Sequence, residues 1–171
     1  MSGFPLGEVG PCQITFGGVD LGYTKGGTTF EHKEETVKIT YDQTGKTVQN
    51  VIGIGGAATV KTALANPTLA QLIPLISGAA LDADGMIVMA SAGVDKRATM
   101  AKELILTIMD GILPSTDPDA TLVIFVAVPT FEASWKFDDS GQRVTNVTFD
   151  ALPDDLSGNV GAMYRIGLPT P

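Results

Sequence analysis

The sequence predicts a mainly β protein, an antiparallel sandwich or barrel with one packed α-helix. Three observations carry this expectation. Residues 122–152 read as three strands and two turns. LVIFVAV is a continuous apolar run ending at Pro129, and FEASWKF alternates Phe131, Ala133, Trp135 and Phe137 against Glu132, Ser134 and Lys136. VTNVTFDAL then sets Val147, Phe149 and Ala151 against Asn146, Thr148 and Asp150. Period-2 alternation bounded by turn residues marks a half-buried antiparallel sheet. The second observation is compositional: Gly 20 and Pro 10 against 6% aromatic residues imply many turns and short strands. The third is that helical periodicity is clear in one place, after Asn66.

Taken in order, residues 1–11 are rich in Gly and Pro and read as a flexible arm. CQITFGGVDLGYT is a first strand, bent at Gly17 and Gly18. Lys25, Gly26 and Gly27 read as a turn. TTFEHKEETVKITY is a long polar strand. Its mixed-charge patch of Glu31, His32, Lys33, Glu34 and Glu35 is a solvated face or a guarded edge. DQTGKTVQN is a polar loop, and VIGIGGAATVKTALA is a strand. Asn66 and Pro67 then read as N-cap and first residue of the helix. Leu69, Leu72, Ile73 and Ile76 fall on one stripe, Pro74 bends or ends the helix, and Gly78 stops it. LDADG is a turn, MIVMA a short strand and SAGVDKRATMA a connection. KELILTIMD is a strand with Leu104, Leu106 and Ile108 facing one way. PSTDPDA is a loop, and AMYRIG is a final strand after the loop LPDDLSGNVG.

The chain has 171 residues, which suits a single domain over residues 1–171. A net charge of −8 argues against adhesion to a nucleic-acid backbone, which requires clustered Lys and Arg. Enclosing DNA without adhering remains compatible with it. One cysteine, Cys12, excludes an internal disulfide and a cysteine zinc cluster, and reads as a small buried strand residue. No secretory signal is visible at the N-terminus, and no apolar run has the length of a membrane helix, so a soluble chain without a membrane anchor is expected.

The chemical motifs fail on inspection. GIGG at Gly53, Gly55 and Gly56 is followed by strand-like alternation, not by the helix a dinucleotide fingerprint opens. A P-loop ending in Gly45-Lys46-Thr47 needs an earlier glycine where Thr40 stands. Asp82, Asp84 and Gly85 lack the spacing of an EF-hand. Asp138 and Asp139 suit a solvated turn better than a catalytic pair. The sequon at Asn146 reads as strand residues. His32, the only histidine, has no second histidine for a metal triad and no nucleophile elbow nearby. No catalytic, metal or cofactor site is expected, and the chain does not read as an enzyme.

With these elements laid out, the chain resembles a bacteriophage tail tube (major tail) protein. GGVDLGYTKGGTTF is similar to that family's opening hairpin, YDQTGKTV to its polar loop, and LANPTLAQLIPLI to its single helix. The segment TLVIFVAVPTFEASWKFDDSGQRVTNVTFDALPDD is similar to its closing hairpin with an F-x-A-L-x-D phrase. The resemblance spans residues 10–167, with Pro74 inside the helix as a departure. It implies a subunit of six-membered rings whose sheets join into one barrel around a channel. The rings stack into a tube that conducts the genome from capsid to host cell. Contractile-tail tubes and the type VI secretion ring protein are related in fold. The implied partners are further copies of the chain, tip and terminator proteins, and a sheath where the tail has one. DNA would be enclosed without sequence-specific binding, and acidic walls would repel its phosphates. The implied location is the virion tail, after synthesis in the host bacterial cytoplasm. A ring-to-ring contact is expected in the polar loop of Tyr41, Asp42, Gln43, Thr44, Gly45, Lys46 and Thr47. The alternative is a monomeric β-sandwich module that binds a ligand or a protein. That reading needs an exposed aromatic platform, whereas the one Trp, Trp135, alternates with Phe131 and Phe137 on the apolar side.

Overall fold

The structure is a computed structural model, and it describes residues 11–41, 47–85, 87–89, 93, 95–133, 135, 143–155 and 160–167. Among the described residues there are eleven strands: β1 (Cys12–Phe16), β2 (Val19–Asp20), β3 (Thr24–Ile39), β4 (Asn50–Ala65), β5 (Ala79–Leu81), β6 (Ile87–Met89), β7 (Lys102–Asp110), β8 (Leu113–Pro114), β9 (Thr121–Ala133), β10 (Val144–Leu152) and β11 (Tyr164–Ile166). The helices are short: α1 (Leu69–Leu72), continued by a 3-10 turn at Ile73–Leu75, and α2 (Lys96–Met100), with a further 3-10 turn at Pro118–Ala120. Nine strands form one antiparallel sheet in the order β2-β1-β7-β9-β10-β4-β3, with β11 beside β9 and β8 beside β7. β5 and β6 pair separately.

The sheet curls strongly without closing. In a flat sheet β1 and β10, three strand spacings apart, would be separated by about 14 Å. Yet the rings of Phe16 on β1 and Phe149 on β10 lie 5.2 Å apart, tilted by 52°. The two ends of the strand order also meet, because only Leu21, Gly22 and Tyr23 separate β2 from β3. Leu21 is buried there, and Gln71 Nε2 donates to the Asp20 carbonyl at 3.1 Å across the seam. Higher up the seam, Cys12 and Thr28 share a side-chain hydrogen bond, and Thr28 meets Thr62 at 2.9 Å. The concave side holds the core, with Ile14, Phe16, Val60, Leu64, Leu104, Ile124, Val147 and Phe149 almost wholly enclosed. The mainly β, antiparallel reading therefore holds, as a curled open sheet with small helices on it.

The alternation of the sequence maps onto this curl. Val147, Phe149 and Ala151 on β10 face the core while Asn146 and Asp150 are exposed. The same holds for Leu104 and Leu106 on β7. Gly17 and Gly18, at φ of 55° and 82°, make the tight β1–β2 turn that a side chain with Cβ disfavours.

Several expectations are corrected. The break at Pro129 is absent: β9 runs unbroken from Thr121 to Ala133. The Pro129 carbonyl accepts from Lys96 Nζ at 3.5 Å, so the proline's missing N–H falls on the side away from β10. β7 no longer pairs there, its last partner on β9 being Ala127, and no ladder bond is lost. The helix does not start at Asn66 and Pro67. Asn66 has a φ of 49°, the N-cap is Thr68, and Gln71 Oε1 accepts from the Thr68 N–H at 2.8 Å. Pro74 limits α1 to a single turn before the 3-10 segment, since it has no N–H to continue the ladder. Lys25, Gly26 and Gly27 form no turn but lie in β3, where the register with β4 shifts between Thr24 and Thr28. The supposed connection before β7 contains α2, capped by Asp95 Oδ1 at 3.2 Å from the Ala98 N–H. α2 contacts β9, with Lys96 Nζ reaching the Pro129 carbonyl and Thr130, and Val123 and Val128 on β9 are buried as well as Ile124 and Ala127. Trp135 is not core: it is 37% exposed, lies 5.0 Å from the Arg143 guanidinium and donates to Thr145 Oγ1 at 3.2 Å. Phe137 and the Asp138-Asp139 turn lie outside the described residues.

Candidate assembly surface

β3 and β4 are each 16 residues long, about twice the length the body of the sheet uses. Their proximal halves belong to the core, where Phe30 pairs with Val60 and His32 with Ala58. Beyond Ala58 the two strands continue alone to Ile39 and Asn50, a two-stranded ribbon about 26 Å long. Over this length every residue of β4 before Ala58 is exposed, so neither face of the ribbon is covered among the described residues. The local reason is composition: Gly53, Gly55, Gly56 and Ala57 offer almost no side chain to a core, and opposite them stand Lys33, Glu34 and Glu35.

The distal ribbon nevertheless carries apolar side chains. Val37 pairs with Ile52, and Val51 sits opposite Lys38. Between Glu35 and Thr36 the register skips one residue, leaving Ile54 as the extra residue of a bulge. Bulges increase local twist and re-aim side chains. Val37, Val48, Val51, Ile52, Ile54 and Tyr41 are between 43% and 62% exposed. An isolated ribbon is marginal in water, and Val37, Val51, Ile52 and Ile54 form an exposed apolar surface toward its tip. The outer edge of β3 is also unpaired along its whole length among the described residues. It is guarded by Glu31, Lys33 and Glu35, with Glu31 held by Lys61 at 2.8 Å.

The loop expected to make ring contacts lies between β3 and β4 in sequence. Tyr41 and Thr47 are exposed at its base, and Asp42, Gln43, Thr44, Gly45 and Lys46 lie outside the described residues. Sequence reasoning located the loop but missed Val37, Ile52 and Ile54. Only the pairing shows that they lie beyond the core.

The chemistry of the remaining candidates is structural. His32 packs edge-on against Tyr164 at 5.4 Å and lies over Gly56, where a Cβ would come within 3.3 Å of the imidazole. Burial pushes the Cys12 thiol above its ordinary value of 9.0, against a smaller lowering by Thr28, so it is a poor nucleophile. Among the described residues no three His, Cys, Asp or Glu side chains group as metal ligands, and no helix is long and apolar enough to cross a membrane.

No protein-family model and no curated protein matches the sequence. Solved structures share its fold. A chain of the cryo-EM structure of the anti-feeding prophage cap, described as the tube terminating cap, superposes with a TM-score of 0.53 at 11% identity. The match covers 88% of this chain and 89% of that chain. A chain from the sheath/tube terminator, in the extended state, of PVC, an extracellular contractile injection system, gives the same score and identity over 88% and 94%. At such identity the likeness is one of fold.

Proposed function

We propose that this chain is a non-enzymatic structural subunit of a phage-type tail or tail-like injection assembly, forming six-membered rings around a channel. The observation that carries this reading is the 16-residue edge strand β3, unpaired on its outer side among the described residues, continued into a ribbon with exposed apolar side chains. An edge of that length is an aggregation hazard in a monomer and an assembly bond in a ring. A head-to-tail contact that closes by rotation yields such a ring. The fold shared with chains from two tube-terminating assemblies supports the same class. In this reading residues 41–47 contact the next ring, other tail proteins are the further partners, and an acidic channel passes DNA without binding it.

A second reading follows from those neighbours: the chain forms one ring that caps a tube. Electron microscopy of the purified protein, with particle masses, decides between them. Stacked rings of constant bore support a tube subunit, and single rings support a cap. A protein that stays monomeric at high concentration would sink both and favour the monomeric binding module.

A further inference from the structure

β7 connects two features that nothing in the fold requires. At its C-terminal end, Met109 and Asp110 pair with Pro114 and Leu113, closing a tight tip at Gly111 with a φ of 67°. The tip carries Ile112, 91% exposed, and Leu113, 71% exposed. At its N-terminal end lies a cavity of about 320 Å³. Ile73, Pro74 and Ile76 from the segment after α1, Thr99 and Met100 from α2, and Lys102 at the start of β7 line it. Eight residue steps of extended strand set Lys102 and Asp110 about 27 Å apart. The apolar knob and the cavity, which mixes apolar side chains with polar atoms, therefore stand at opposite poles of the same sheet.

We infer that the Ile112–Leu113 tip of one copy seats in the Ile73–Met100 cavity of a second copy of this chain, placed head to tail. The chemistry of the two poles is complementary. The knob is apolar with an acidic neighbour, Asp110, and the cavity offers the apolar side chains of Ile73, Pro74, Ile76 and Met100 with a basic residue, Lys102, beside them. Neither charge makes a salt bridge among the described residues. The strand pairing and the Ser115 N–H bond to the Ile108 carbonyl at 2.9 Å hold the tip in one conformation, so little ordering entropy opposes insertion. Because knob and cavity are different surfaces at opposite ends, the contact does not close on itself between two copies, and where its rotation closes no ring it propagates as a stack. Each contact is small. A ring presenting one per subunit gains by multiplicity what the single contact lacks. The inference rests on the ring reading above and adds a second axial contact to that of residues 41–47.

The test uses the full chain. Ile112→Asp changes an exposed residue, so circular dichroism and the melting curve are expected to match the unaltered protein while stacks of rings fall apart into single rings. In a Cys12→Ala background, Ile112→Cys with Thr99→Cys and a short bismaleimide should give a ladder of covalent dimers, trimers and larger species. Either cysteine alone should give dimers at most. Stacks that survive Ile112→Asp, or rings without any ladder, overturn this contact and leave the ring reading intact. A chain that remains monomeric and forms no ladder overturns the ring reading and this contact together.

Discussion

Asn66 and Arg143 hold each other through their backbones and side chains. The Asn66 N–H donates to the Arg143 carbonyl at 2.9 Å, and the Arg143 N–H donates to Asn66 Oδ1 at 3.2 Å. The Arg143 guanidinium then donates to the Pro67 carbonyl at 2.7 Å and covers the Trp135 ring at 5.0 Å. This joint ties the end of β4 to the start of β10, where the chain turns toward α1.

The left-handed backbone at Asn66 makes substitutions there informative. Asn66→Gly keeps that conformation without strain and loses only the Oδ1 acceptor, a cost of about 1 kcal/mol. Asn66→Ala loses the acceptor and adds about 1 kcal/mol of backbone strain. Urea denaturation should therefore rank Ala below Gly, and equal midpoints would refute the role assigned to φ.

Arg143→Ala removes the bond to Pro67 and the cation over Trp135. The expected loss is about 1–2 kcal/mol, since the joint is partly open to water. The chain has a single Trp, so its fluorescence reads this site alone. A red-shifted emission with unchanged far-ultraviolet dichroism is expected, and an unshifted spectrum would mean that the guanidinium does not cover the ring.

The contact between Phe16 and Phe149 spans the curl, so it holds the sheet bent. Phe149→Ala should cost about 3–5 kcal/mol, a large part of the stability of a domain this size. A broadened, early urea transition is expected, and Phe149→Leu should recover much of it. If Phe149→Ala melts like the unaltered protein, the concave core is not where the stability lies.

Cys12 supplies a pH test. Burial raises its folded pKa above 9.0, while the unfolded thiol ionises near the ordinary value. The folded state thus holds the extra proton above that pH, and stability falls as pH rises from about 9 toward the folded pKa, by at most about 1.4 kcal/mol per pH unit. Below 9 the thiol contributes no slope. Urea midpoints between neutral and alkaline pH should show a shallower decline for Cys12→Ala than for the unaltered chain. Parallel curves would count against a buried thiol.

What the sequence determined on its own is local and periodic. Alternation at Val147, Phe149 and Ala151 assigned core and solvent faces correctly, because the pleat repeats every two residues whatever the strand is paired with. Glycines 17 and 18 marked a real bend, because left-handed backbone favours residues without Cβ. The tertiary structure decided what depends on neighbours. Pro129 stays in a strand because β7 ends before reaching it, and Trp135 leaves the core because β9 ends at Ala133. Val37 and Ile52 alternate like core residues yet project into solvent, since only the length of β3 and β4 relative to β10 determines where the body of the sheet stops. The same holds for the knob at Ile112 and the cavity beside Lys102: one strand places them at opposite poles, and no local pattern in the sequence relates them.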